Sequence, residues 1–202
     1  MTFWDQAFDT PHFKYGTAPN AFVRAQAHRL PPAARVLVPG DGEGRNGIWL
    51  AAQGHAVLSV DASNVGLRKA RQLAEQQGVV LATELADLAE WQPAPGAYDG
   101  VVLTFVHLPS ALRTTVHQRL ARALHPGGWL ILEAFTPEQL PYASGGPKNA
   151  DMLYTLDGLR ADFAGLREQL AWAGEVLLDE GPGHQGPAQV VRYLAQAPGG
   201  GA

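Results

Sequence analysis

The sequence predicts an α/β protein, a parallel sheet with helices on both faces, and three observations predict it. Five apolar runs of strand length recur along the chain. Helix-length amphipathic segments separate most of them. Glycine, proline and small polar residues punctuate the junctions. Strands covered on both faces read as continuous hydrophobic runs rather than alternating ones, and alternation with helices is the pattern of parallel crossover units.

Each element has a local cause. Residues 1–34 form an irregular front piece with aromatics at Phe3, Trp4, Phe8, Phe13, Tyr15 and Phe22, dense enough to pack on something; within it Asn20–Leu30 reads as a helix stopped by Pro31-Pro32. Arg35–Pro39 is a short buried strand that enters the glycine-rich run Gly40-Asp41-Gly42-Glu43-Gly44. A helix over Gly47–Gln53 closes at Gly54, and Ala56–Val60 is a second strand ending at Asp61. Ser63 caps a helix running to about Gln77, and Gly78 ends it. Val79–Thr83 and Asp99–Val106 are the third and fourth strands, Pro109-Ser110 opens a helix through Ala123, and Trp129–Phe135 is the fifth strand. After a helix at Leu156–Phe163, the segments Leu166–Leu178 and Ala188–Ala195 read as two strands whose connection has no room for a helix. They must pair antiparallel. Residues 197–202 read as a frayed, disordered tail.

Composition narrows the function classes. The 202-residue chain carries 15 Lys+Arg against 19 Asp+Glu, a formal charge of −4 with no basic block, which argues against a phosphate-driven nucleic-acid binder. Cysteine is absent, which removes disulfides, thiolate metal ligands and a cysteine nucleophile together. The histidines show no close pairing, so no metal site is expected. No apolar run reaches the roughly 18–20 residues of a membrane span, and the first residues lack the pattern of a signal peptide. The expectation is a cytoplasmic single-domain protein, monomeric or homodimeric, with neither membrane nor nucleic acid as partner.

The chemistry signal lies in Val36–Gly47, VLVPGDGEGRNG. Glycines after a first strand let backbone approach a ligand, and the next helix offers free N–H groups to a negative group. Asp61, at the end of the second strand, stands where an acid accepts hydrogen bonds from ribose hydroxyls. Gly42-Glu43-Gly44-Arg45-Asn46-Gly47 also spells a dinucleotide fingerprint, so an NAD(P)-dependent oxidoreductase is an alternative. Counted from the strand end at Gly40, however, the third glycine position is Arg45, and no separate substrate domain is present. A non-catalytic cofactor-binding or partner-binding protein is a further alternative, with the front-piece aromatics as its surface.

Leu85-Ala86-Asp87-Leu88 follows the third strand, and Ala123-Leu124-His125-Pro126-Gly127-Gly128-Trp129 places a P-G-G turn before the fifth. Together with the glycine loop and Asp61 these features resemble class I S-adenosylmethionine-dependent methyltransferases. The segments Lys14-Tyr15-Gly16-Thr17-Ala18-Pro19-Asn20, GDGEGRNG and Val60-Asp61-Ala62-Ser63 look most like the small bacterial tellurite-resistance and thiopurine-type group. The resemblance implies a Rossmann-like doubly wound sheet of seven strands in order 3-2-1-4-5-7-6 with strand 7 antiparallel. It makes residues 35–196 a methyltransferase domain behind an N-terminal lid at 1–34, with S-adenosyl-L-methionine as cofactor and a small-molecule methyl acceptor. It also implies a cofactor site of Gly40, Asp41, Gly42, Gly44, Arg45, Asn46, Asp61, Ala62, Ser63, Ala86, Asp87, Leu88 and Phe105, with Tyr15 folding over the sulfonium. Where the family carries an acid two residues before the first glycine this chain has Val38, which leaves Asp41 or Glu43 for the cofactor's amino group.

Methyl transfer is an in-line displacement in which positioning carries much of the acceleration. A soft anionic acceptor, a sulfur, selenium or tellurium nucleophile, needs no base; an oxygen or nitrogen acceptor does. His107, directly after the fourth strand at the carboxyl edge of the sheet, is the candidate catalytic base. Trp4, Glu133 and Lys148 are the candidate substrate contacts, Glu133 because an acid in an apolar strand demands either the site or a basic partner.

Overall fold

The computed structural model describes residues 2–199. Among them, β1 (Arg35–Pro39), β2 (Ala56–Asp61), β3 (Ala82–Leu85), β4 (Tyr98–Thr104), β5 (Leu124–Phe135), β6 (Arg167–Asp179) and β7 (Gln185–Gln196) form one sheet in the order β3-β2-β1-β4-β5-β7-β6. The first five strands run parallel, and β7 is antiparallel to both β5 and β6. The helices are α1 (Phe3–Phe8), α2 (Ala21–Gln26), α3 (Arg45–Ala52), α4 (Asn64–Gln76), α5 (Ser110–Ala123) and α6 (Leu156–Asp162).

Alternation along the strands divides the core into two layers. Val36, Val38, Val57, Val102, Ile131 and Leu194 face one side, where Phe22, Val23 and Leu50 of α2 and α3 cover them. Leu37, Val101, Leu103, Leu130, Leu132 and Tyr193 face the other, against Val116 and Leu120 of α5 and Leu159 of α6. The second layer is tied by Asp162, which accepts from Arg113 Nε at 2.6 Å, Thr114 Oγ1 at 2.7 Å and His117 Nδ1 at 2.8 Å.

Several boundaries differ from the sequence reading, among them the start of β5, which lies at Leu124 rather than Trp129, and three with a clear local cause. The front piece is not irregular at its start: Thr2 and Asp5 form a capping box that opens α1. The third strand starts later, because Gly78 (φ +66°) and a Val79 N–H bond to Ala74 O use the first apolar residues to close α4, leaving Val80 exposed. The tail expected from residue 197 does not begin there, since Ala197 is buried and its N–H donates to Gly128 O at 2.8 Å. The remainder of that expectation at 200–202 lies outside the described residues.

Candidate active site

The five parallel strands end at one edge, and the candidate residues collect there. At the end of β1 the chain turns through Gly40, Gly42 and Gly44, all with positive φ. Gly44, at +88°, opens α3, and a Cβ there would stand 2.6 Å from that of Ala70; a Cβ on Gly42 would meet the Phe8 ring at 2.9 Å. Glycine is needed at both for conformation and for close approach. Asp61 is buried at the end of β2, its carboxylate accepting from Gly42 N–H and Ser63 N–H, each at 2.8 Å. Burial raises its pKa against those two bonds. Ala62 follows, half-buried. Ala86 donates its N–H to Asp61 O at 3.0 Å, which sets the β3 turn beside β2, with Asp87 exposed and Leu88 half-buried.

Several loop residues are committed to the scaffold. Asp41 accepts from Ser59 Oγ and from Gly47 N–H at 3.1 Å, and burial pushes its pKa up to about 6. Glu43 accepts Lys14 N–H at 2.7 Å and pairs with Lys69. Neither acid is free for a ligand amine, which corrects the expectation that one of them replaces the missing acid at position 38. Ser63 caps α4 and donates to Asp5 at 2.8 Å; Asn46 accepts Asn20 N–H and donates to Thr104 Oγ1 at 2.7 Å.

His107 sits at the expected edge but is not a free base. Its Nδ1 bonds Met152 O at 2.7 Å, Nε2 receives Phe135 N–H at 3.3 Å, and burial lowers its pKa to about 4. Glu133 has the basic partner rather than a substrate: Arg192 pairs with it, and Asn20 Nδ2 donates to it at 2.7 Å. Lys148 turns back to donate to the carbonyls of Leu140 and Tyr142. Trp4 stacks on Phe8 at 5.5 Å and edges onto Phe3. At His107, Glu133 and Lys148 partners within the chain take up the polar groups expected to serve as a base and substrate contacts, whereas Trp4 is 40% exposed.

Sequence reasoning missed His184, Glu180 and Phe135, which converge with the expected Tyr15, Phe105 and Arg45. His184, in the turn from β6 to β7, is 3% exposed and lies 4.3 Å from the rings of both Tyr15 and Phe105 and 5.3 Å from Phe135. Phe105 holds φ +53° just past β4, a strained setting for a bulky residue and costing on the order of 1–2 kcal/mol. Burial pushes the Tyr15 hydroxyl up to about 12. Glu180, one helical turn's spacing before His184, takes Arg45 Nη2 at 2.7 Å and Asn20 Nδ2 at 2.9 Å. Burial opposes its ionisation, but His184 and Arg45 outweigh it and hold the pKa at about 2. Arg45 Nη1 is buried with no hydrogen-bond partner among the described residues. That donor beside the glycine loop fits the anionic end of a ligand. The signal available in the sequence was an acid and a histidine four apart in a turn containing three glycines between Gly181 and Gly186.

Comparison with known proteins agrees with the fold. Residues 36–128 match the family model described as a methyltransferase domain. A 2-heptyl-1-hydroxyquinolin-4(1H)-one methyltransferase of Mycobacteroides abscessus is 28% identical over 115 residues, which cover 55% of this chain and 51% of that protein. The chain thus spans about half the length of the curated relative it matches. Among solved structures, TehB from Haemophilus influenzae superposes with a TM-score of 0.71 at 19% identity, covering 96% of this chain and 66% of that one. Magnesium protoporphyrin IX methyltransferase from Synechocystis PCC 6803, with bound SAH, superposes at 0.65 with 22% identity, covering 88% and 78%. The sheet order is that of this fold.

Proposed function

We propose that this chain is a class I S-adenosylmethionine-dependent methyltransferase acting on a small-molecule acceptor, a soft sulfur, selenium or tellurium nucleophile foremost. The matched domain and the sheet order support the class, and with it S-adenosyl-L-methionine as the cofactor. The single observation that carries the reading is Asp61. Its carboxylate is fixed by two backbone N–H groups at the end of β2, against a loop of three left-handed glycines, and each oxygen keeps a lone pair for a ribose hydroxyl.

In this reading the Gly40–Gly44 loop and Arg45 Nη1 hold the methionine end, Asp61 the ribose, and Ala62 with Ala86, Asp87 and Leu88 the adenine. Tyr15 and Phe105 bound the methyl position. The cofactor supplies an electrophilic methyl group on a sulfonium. The protein's share is alignment and exclusion of water, and the strap of residues 2–20 laid over the loop serves both. An aromatic wall of Tyr15, Phe105 and Phe135 favours a cation nearby by roughly 0.5–2 kcal/mol. The relative's quinolone substrate supports a small acceptor here. The reading takes the protein to work in the cytoplasm as a monomer or homodimer; separately, no helix among the described residues is long and apolar enough to cross a membrane.

Titration calorimetry with S-adenosylhomocysteine beside NADH tests this. Micromolar binding of the first alone is expected, and Asp61→Ala removes two charge-assisted bonds of about 1.5–3 kcal/mol each, a loss of roughly 10²–10⁴-fold in affinity. Tighter binding of NADH, or an unchanged affinity in the variant, refutes the assignment.

A further inference from the structure

We infer that His184, backed by Glu180, takes the proton of the methyl acceptor, so that the acceptor is an aromatic molecule bearing a weakly acidic S–H or O–H. This rests on the methyltransferase reading and sharpens its substrate class. Of the histidines near the carboxyl edge, His107 has both ring nitrogens bonded to backbone, and His117 is tied to Asp162 on the far side of the Tyr154 ring. His184 differs: its Nδ1 is buried with no partner at hydrogen-bond distance among the described residues, Glu180 Oε2 standing 3.9 Å away. A buried imidazole in that state forgoes the hydrogen bonds it had in water, which calls for a partner that arrives with the substrate.

The surroundings specify that partner. Nδ1 lies 3.9 Å from Glu180 Oε2, beyond hydrogen-bond length but close enough for the carboxylate to stabilise an imidazolium. Glu180 is itself held by Arg45, by Asn20 and by Ala21 N–H at 3.3 Å. The other faces of the imidazole are walled by Tyr15, Phe105 and Phe135, which suit a flat ring rather than an oxyanion. Burial keeps His184 neutral near pH 7, ready to receive a proton. The step balances: the S–H or O–H bond breaks, its electron pair forms the bond to the methyl carbon, the proton goes to Nε2, and the pair that held the methyl stays with the donor.

The test uses the full chain loaded with S-adenosylhomocysteine, so no turnover is required, and 4-nitrophenol as the probe. Calorimetry first shows that S-adenosylhomocysteine binds; failure there overturns the methyltransferase reading and the inference with it, whereas the probe outcomes bear on His184 alone. With the complex formed, the probe is expected to bind as phenolate at a pH where it is neutral in water, at least tenfold more ionised. The ¹⁵N shifts of His184 should move to those of imidazolium on its addition. In His184→Gln, with S-adenosylhomocysteine affinity retained as the check on folding, the bound probe returns to its neutral form. Turnover of protonated acceptors then falls by about 10²–10⁴-fold while a preformed thiolate is spared. A neutral His184 in the probe complex, equal ionisation in the variant, or no binding of the probe to the loaded protein overturns the inference.

Discussion

Replacing Asn20 by alanine should be among the most damaging single changes in this protein. Asn20 is fully buried, and its side chain makes three bonds: Oδ1 accepts Val23 N–H at 3.0 Å as the cap of α2, and Nδ2 donates to Glu133 at 2.7 Å and to Glu180 at 2.9 Å. Losing an N-cap costs about 0.5–2 kcal/mol. Each hydrogen bond to a buried carboxylate contributes about 1.5–3 kcal/mol. The amide also stands between two acids whose guanidinium partners are Arg192 and Arg45. The expected loss is therefore about 4–7 kcal/mol, reduced toward the lower end if water enters the vacated space. At about 2–4 °C per kcal/mol for a chain of this size, the melting temperature should fall by roughly 10 °C or more. Urea unfolding followed by circular dichroism reads this directly, as a lower midpoint at constant slope. A loss under about 1 kcal/mol would refute the claim that Asn20 joins the two acids. Asn20→Asp adds a third carboxylate to the pair and should be worse still.

Two more outcomes concern ion pairs, one beneath α5 and α6 and one that ties α4 to the glycine loop. Burial disfavours ionised Asp162, but bonds from His117, Arg113 and Thr114 prevail and hold its pKa at about 2, below the ordinary 3.8. A depressed carboxylate stabilises the fold above its unfolded pKa and loses that contribution as pH falls through the folded one. Asp162→Asn should thus be clearly less stable than the parent at pH 7, with the gap closing between about pH 4 and pH 2; a gap independent of pH counts against it. Lys69 Nζ donates to the carbonyls of Thr10 at 3.1 Å and His12 at 2.7 Å and pairs with Glu43, so it is the clasp of the N-terminal strap. Lys69→Met should speed proteolytic cleavage within residues 9–14 at least several-fold while the rest of the chain resists, and unchanged protection would show that the strap is held elsewhere.

Much of the cofactor half was legible in the chain because its causes are local. An apolar run ending in glycines makes a strand and a tight turn wherever it is buried, and Ser63 caps α4 with its own side chain through a bond to Gly66 N–H. Asp61 stands at its strand end by the same arithmetic of strand, loop and helix length. The capping box at Thr2 was equally local and could have been read as the start of α1. The acids of the loop were harder. Asp41 and Glu43 look available in a glycine-rich stretch, yet Ser59, Lys14 and Lys69 arrive from other elements and occupy them.

The aromatic and acidic cluster was beyond reach for the same reason. Asn20 meets Glu133 across 113 positions and Glu180 across 160, and His184 meets Tyr15 only because the β6–β7 turn folds back onto the N-terminal strap. His107 could be placed at the sheet edge from its strand, but its partners Met152 and Phe135 come from later segments and decide that it is a tether. By itself the sequence determined most of the helices and strands and the parallel run of the early strands. Those depend on periodicity, caps and turn conformations within a few residues. Which buried acids are paired and which histidines are tethered to backbone was decided only by tertiary structure. Burial and hydrogen bonding are properties of neighbours brought together in space, and sequence distance carries no record of them.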